Sequence, residues 1–171
     1  MTRAALTAAI LLLAACASVP PAPVPLDGLP EAFEMAGRLF VSQSGQGEIL
    51  RLRWTHGAQA DSWVLAAPFG PEVARIERGA GGLTVHRPGA APVAAKSFAE
   101  LTDNLLGAAI DERLLVAWLH GRPHAGPEGW AVTIDESQRI GGKDVARRIT
   151  ATRGDTVLKL VVDDYRTRAD Y

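Results

Sequence analysis

The sequence predicts an α+β domain in which one curled antiparallel sheet carries helices packed across its concave side. Three observations predict it. Apolar and polar residues alternate through the first half of the chain, one central stretch changes to helical spacing, and alternation then returns up to the carboxyl end.

The elements follow in order. Phe33, Met35, Gly37, Leu39 and Val41 fall on one face of the first segment, with Glu34, Arg38 and Ser42 on the other. Leu50, Leu52 and Trp54 alternate with Arg51 and Arg53 in the second. Both read as half-buried antiparallel strands. Further strands are expected over 61–66, 72–77, 83–87, 130–134, 147–152 and 156–162. Gly79-Ala80-Gly81-Gly82 reads as a hairpin turn, and Arg153-Gly154-Asp155 makes a hairpin of the last two strands. Alternation breaks at Ser97-Phe98-Ala99-Glu100, which has the spacing of a capping box. Phe98, Leu101 and Leu105 then share a helical face, and Gly107 is placed to end the helix. In a second helix Asp111 is the cap, Leu114, Leu115 and Trp118 share a face, and Gly121 followed by Pro123 forms the stop.

Between two of these strands lies Ala66-Ala67-Pro68-Phe69-Gly70-Pro71, with its one bulky apolar side chain at the tip of a turn that should face water. Pro68 and Pro71 restrict the backbone while Gly70 supplies freedom for a tight turn. The ring is either held outward or folded back as a plug for the end of the sheet; the residues alone leave both open.

The amino-terminal region reads as an export signal. Met1-Thr2-Arg3 is basic, and residues 4–13 are uncharged and mostly apolar, far short of the roughly 20 residues a membrane-spanning helix needs. Leu13-Ala14-Ala15-Cys16 resembles the bacterial lipobox, which places a signal peptide at 1–15 and acylation at Cys16. Stable anchoring takes more than one acyl chain, at about 0.8 kcal/mol for each buried methylene. A multiply acylated Cys16 therefore holds the chain on its membrane. Residues 16–28 are rich in proline and form an extended tether, and 29–171 is the size of one domain.

Composition narrows the function. Cys16 is the sole cysteine, so the mature domain has no disulfide framework and no cysteine-based zinc site. Removing Arg3 with the signal leaves 17 basic against 19 acidic side chains, a charge near −2 that argues against a nucleic-acid partner. His120 and His124 straddle Gly121 and Pro123, so they do not share a helical face as metal ligands would, and they read as surface residues. Residues 79–82 lack the lysine and spacing of a phosphate loop. Ser62, Ser97 and Ser137 lack a nucleophile elbow, and Asp163 and Asp164, adjacent on a strand, should point to opposite faces. No active site, metal or cofactor is expected.

The order F-E-M-A-G-R-L, L-R-W, L-A-A-P-F-G-P-E-V, L-L-V-A-W-L-H-G-R-P and G-W-A-V, behind a lipobox, resembles the outer-membrane lipoprotein receptors of the LolB family over nearly the whole mature domain. The resemblance implies an incomplete, half-open antiparallel β-barrel whose helices lid an apolar cavity for lipoprotein acyl chains. It implies a monomeric, non-enzymatic receptor, lipid-anchored in the outer membrane and facing the periplasm, that takes lipoproteins from the periplasmic carrier LolA and delivers them into outer-membrane lipid. Ala17, where enteric bacteria use Asp to retain a lipoprotein in the inner membrane, agrees with that location. The family's protruding apolar residue, commonly Leu, matches Phe69 on the Pro68-Phe69-Gly70 loop. Burying a Phe side chain contributes about 1.5–3 kcal/mol, enough to bias the cavity mouth towards lipid. Leu50, Leu52, Trp54, Leu114 and Trp118 are the expected cavity lining. Where relatives often carry Trp near the carboxyl end, this chain has Tyr165. The alternatives are a half-barrel lipoprotein binding some other apolar ligand, which needs neither Phe69 nor a carrier, and a hydrolase, which needs a nucleophile and base the sequence does not supply.

Overall fold

A computed structural model describes residues 27–106, 109–126 and 129–168. Residues 1–15, Cys16, most of the 16–28 tether and Gly107 lie outside them. The elements are β1 (Phe33–Gln43), β2 (Gln46–His56), β3 (Asp61–Ala66), β4 (Glu72–Gly79), β5 (Gly82–His86), β6 (Val93–Ala95), α1 (Phe98–Leu106), α2 (Glu112–Leu119), β7 (Ala131–Ile140), β8 (Lys143–Arg153) and β9 (Thr156–Thr167). No helix among the described residues is long and apolar enough to cross a membrane.

The strands form one open antiparallel sheet in the order β6-β5-β4-β3-β2-β1-β9-β8-β7. The first strand is therefore central, because β9 returns to pair along its full length. The chain leaves one edge at β6 and re-enters at the opposite edge with β7. It must cross the sheet between them, and α1 and α2 make that crossing. Their apolar faces join the inward side chains of the strands in one core, where Leu101, Leu114 and Trp118 meet Met35, Trp54 and Ile149. This is the predicted sheet with helices on its concave side.

Within the sheet Gly37 has a specific job. A bulge between Ala36 and Gly37 shifts the register against β9, and a Cβ at Gly37 would lie 2.2 Å from the Val161 carbonyl oxygen. Only glycine allows that approach. Asp163 and Asp164, beside the bulge, are both exposed, where plain alternation would have sent them to opposite faces.

The helix ends follow the sequence. Ser97 Oγ accepts from the Glu100 amide at 3.0 Å and Asp111 Oδ1 from the Arg113 amide at 2.7 Å, satisfying donors at each helix start. Two features were not foreseen. The short edge strand β6 has little alternation to read, and β7 continues to Ile140 through the polar run Asp135-Glu136-Ser137-Gln138. That extension pairs with β8 around Gly141-Gly142, whose φ values of 58° and 78° suit a two-residue hairpin turn.

All four tryptophans are buried, and Trp54, Trp118 and Trp130 are only 1% exposed. Removing about 150–250 Å² of each from water is worth roughly 4–6 kcal/mol as an upper estimate. The indole N–H groups of these three are bonded: Trp54 to Asp61 Oδ1 (2.9 Å), Trp118 to the His124 carbonyl (2.8 Å) and Trp130 to the Ala109 carbonyl (3.1 Å). The described core lies between Leu29 and Tyr165, so a fragment starting at residue 27 contains all of it.

Candidate functional site

Three places on the molecule concern function: an apolar space under the helices, the turn at Phe69, and a charged cluster at the start of α2.

The apolar space has a volume of about 70 Å³. The sheet supplies Leu52, Trp54, Trp63 and Ile149 to its wall, α1 supplies Phe98 and Leu105, and α2 supplies Leu115 and Trp118. The wall's one hydroxyl is internally satisfied, since Thr102 Oγ1 donates to the Ala99 carbonyl (3.1 Å) and accepts from the Ile110 amide (2.8 Å). Nothing charged faces the space, so it suits hydrocarbon. Of the five residues expected here, Leu52, Trp54 and Trp118 line it. Leu50 and Leu114 do not. Leu50 sits one pleat further along β2, opposite Leu39, and Leu114 packs under the loop at Gly126, where a Cβ would lie 2.6 Å from its Cδ1. Shared helical spacing selected a face of α2, and that face divides between the space and the loop. Sequence reading missed Trp63 and Phe98 as lining; their rings pack 4.6 Å apart across the sheet–α1 boundary.

At the turn, Phe69 is fully exposed. The Gly70 amide donates to the Ala67 carbonyl (3.3 Å), a β-turn with Pro68 at its second position, and the Ala67 amide donates to the Pro71 carbonyl (3.1 Å). Arg51 braces it from the neighbouring strand: Nε donates to the Ala67 carbonyl and Nη2 to the Gly70 carbonyl, each at 3.2 Å. The glycine serves differently from the expectation. Gly70 is not in the left-handed region, but a Cβ there would come within 2.9 Å of the Ala67 Cβ. Space, not backbone freedom, is what the turn needs from it.

The charged cluster lies at the other end of β3. The buried Asp61 carboxylate accepts from Trp54 Nε1, from His56 Nδ1 at 2.6 Å and from Arg78 Nη2. Arg78 Nε also lies 3.2 Å from Glu112 Oε1 on the first turn of α2. Burial pushes the Asp61 carboxyl up, but the His56 and Trp54 hydrogen bonds and neighbouring positive charge outweigh it, and its pKa is lowered. Glu112 goes the other way: burial first, then the Asp61 charge, push it up to about 7. His56, Asp61 and Glu112 present ligand atoms within 4.8 Å of one another, a geometry a metal ion could use. Arg78 already supplies the cation between the two carboxylates, so the cluster is an ion network tying α2 to the sheet. No sequence motif signalled it, because its members come from β2, β3, β4 and α2.

One expectation about the histidines is corrected. His120 is buried, not a surface residue. Its Nδ1–H donates to the Val116 carbonyl (2.7 Å), leaving Nε2 to accept from the Tyr165 hydroxyl (2.9 Å). Burial, ahead of the other influences, holds the imidazole below its ordinary pKa, and burial pushes Tyr165 up to about 12. This pair belongs to the core, with the Phe33 ring stacked 5.6 Å from Tyr165.

The chain's similarities agree with this architecture. Residues 31–128 match the family model described as "Outer membrane lipoprotein LolB". Among curated proteins, the outer-membrane lipoprotein LolB of Thiobacillus denitrificans is 29% identical, with 98% of this chain and 99% of that one covered. That of Chromobacterium violaceum is 26% identical, covering 96% and 98%. Among solved structures, a LolA superfamily protein from Nitrosomonas europaea superposes with a TM-score of 0.55 at 13% identity, over 83% of this chain and 88% of the other, a likeness of fold alone. With a matching segment that runs from β1 through both helices, the chain belongs to the outer-membrane lipoprotein LolB family.

Proposed function

We propose that the protein is an outer-membrane-anchored receptor that accepts lipoproteins from the periplasmic carrier LolA, holds their acyl chains under α1 and α2, and inserts them into the outer membrane. The observation that carries this reading is the pairing of a wholly apolar space beneath two helices with a fully exposed Phe69 on a braced turn. A binding lipoprotein for some other apolar ligand would need the space but not the ring.

Transfer would run down an affinity gradient with no covalent step. Acyl chains would prefer this cavity to the carrier's, and the bilayer to this cavity. The helices act as the lid. A volume of about 70 Å³ is well below the roughly 300–1,000 Å³ of ordinary ligand pockets, so loading acyl chains would take α1 and α2 away from the sheet. Acylated Cys16 would hold the domain at the inner face of the outer membrane, with Phe69 presented to lipid.

The test is a transfer assay in which a carrier loaded with labelled triacylated lipoprotein is mixed with the protein and then with liposomes. Phe69→Glu should accept cargo like wild type and fail to deliver it. Wild type that accepts nothing from the carrier would sink the receptor reading, and unimpaired delivery by the variant would sink the role of Phe69.

A further inference from the structure

On the convex face of the sheet, beside Phe69, several cations stand close together. On β2, Leu50, Leu52 and Trp54 turn inward, so Arg51 and Arg53 turn outward. Strand register extends the pattern. Arg38 stands directly opposite Arg51, and beyond it Val161 pairs with Arg148. In a neighbouring row Lys159 stands opposite Phe40, which stands opposite Ile49. Partners directly across a ladder share a face, and like charges so placed repel. Carboxylates share this face: Arg38 pairs with Asp163, Arg148 with Glu136 and Arg166 with Glu34.

Apolar side chains adjoin them. Ile49 is 52% exposed, and together with Pro68 and Phe69 it borders the same groove as Arg38, Arg51 and Arg53. Two cations there are uncommitted. The Lys159 side chain makes no hydrogen bond or ion pair among the described residues, and the Arg53 side chain has only a through-space influence on Glu34. Most acidic groups nearby are engaged: Asp163 takes Arg38 in a two-point bond, Glu72 takes Arg75 likewise, Glu34 takes Arg166 and Arg168, and Asp135 accepts from Thr150, while Asp164 borders the same groove as Arg53.

From this arrangement we propose that the convex face around Arg53, Lys159 and Phe69 docks on a bilayer surface of anionic phospholipid headgroups, the cations meeting phosphate while Phe69 and Ile49 enter the acyl boundary. The inference rests on the membrane-delivery reading and adds the lipid class and the surface. Guanidinium and ammonium groups next to exposed apolar side chains match an interface where negative headgroups overlie hydrocarbon. The Arg51 brace has two consequences: it orders the turn and holds a cation at the base of the inserted ring.

The experiment is flotation of the 27–171 fragment with vesicles of phosphatidylcholine alone or mixed with phosphatidylglycerol. Wild type should partition more strongly onto the anionic vesicles, and this preference should shrink with added salt. Arg53→Gln and Lys159→Gln should each lower the anionic partition about fivefold, equivalent to about 1 kcal/mol per cation near the surface, and leave the neutral partition unchanged. Both positions are exposed or unpaired, so the variants should fold. Phe69→Ala should lower both partitions alike, because ring insertion is indifferent to headgroup charge. Equal partition onto both vesicle types, or full preference in the double variant, overturns the proposal. So does unchanged partition in a double variant that has lost carrier binding, which would assign the face to an acidic protein. If the charge preference holds while Phe69→Glu delivers cargo normally, the insertion reading alone fails.

Discussion

Arg51 shows how one side chain can brace an exposed apolar tip. Its fork spans the two carbonyls at the ends of the Phe69 turn, and a planar guanidinium can hold both where an ammonium cannot. Arg51→Lys keeps the charge and removes the two-point brace. Delivery to liposomes should fall several-fold while acceptance from the carrier stays unchanged, as read in the transfer assay, and global stability should drop by no more than about 1 kcal/mol because the bonds are solvent-exposed. The tip residue and its prolines could be read directly, since local backbone chemistry acts over four or five residues. Arg51 could not: it sits 16 residues from Ala67 and reaches it only because β2 pairs with β3.

At the scale of elements, the start of α2 is joined to the sheet by the Glu112–Arg78–Asp61 network. This junction should titrate. Glu112 has a pKa of about 7 in the fold against an ordinary 4.5. As pH rises from 4.5 the unfolded chain therefore releases this proton first, and stability falls until about pH 7. Asp61 has the opposite sign: its lowered pKa adds stability that is lost only as pH falls below its ordinary 3.8. In Glu112→Gln the loss between pH 4.5 and 7 should disappear, a difference of up to about 3 kcal/mol, measured by urea unfolding at both ends of that range. A wild-type stability flat across that window would remove the argument. The helices themselves were legible because capping residues and i, i+3, i+4 spacing are local. The network was not, since its four members are brought together from four elements.

For the whole molecule, the apolar space is the property that matters, and it depends on how far the helices stand from the sheet. Leu115→Trp adds bulk from α2 into a space of about 70 Å³. The protein should remain folded, at a cost of roughly 1–3 kcal/mol for overpacking. Carrier-loaded cargo should no longer be accepted, and partition onto anionic vesicles, which uses the opposite face of the sheet, should be unaffected. Acceptance at the wild-type level would show that acyl chains bind elsewhere.

Periodicity in the sequence by itself determined eight of the strand positions, both helices and the inward face of β2, because alternation and helical spacing are consequences of backbone geometry at each residue. It also determined that Phe69 lies on a turn. Only the tertiary structure decided that the ring projects, that His120 is core, and that Trp54 and Trp118 border a common space while Leu50 and Leu114 do not. It likewise decided that the arginines of β1 and β2 stand side by side. The physical reason is common to all four: each depends on which distant segments pair and how a helix is rotated against a curved sheet, and no local pattern carries that information.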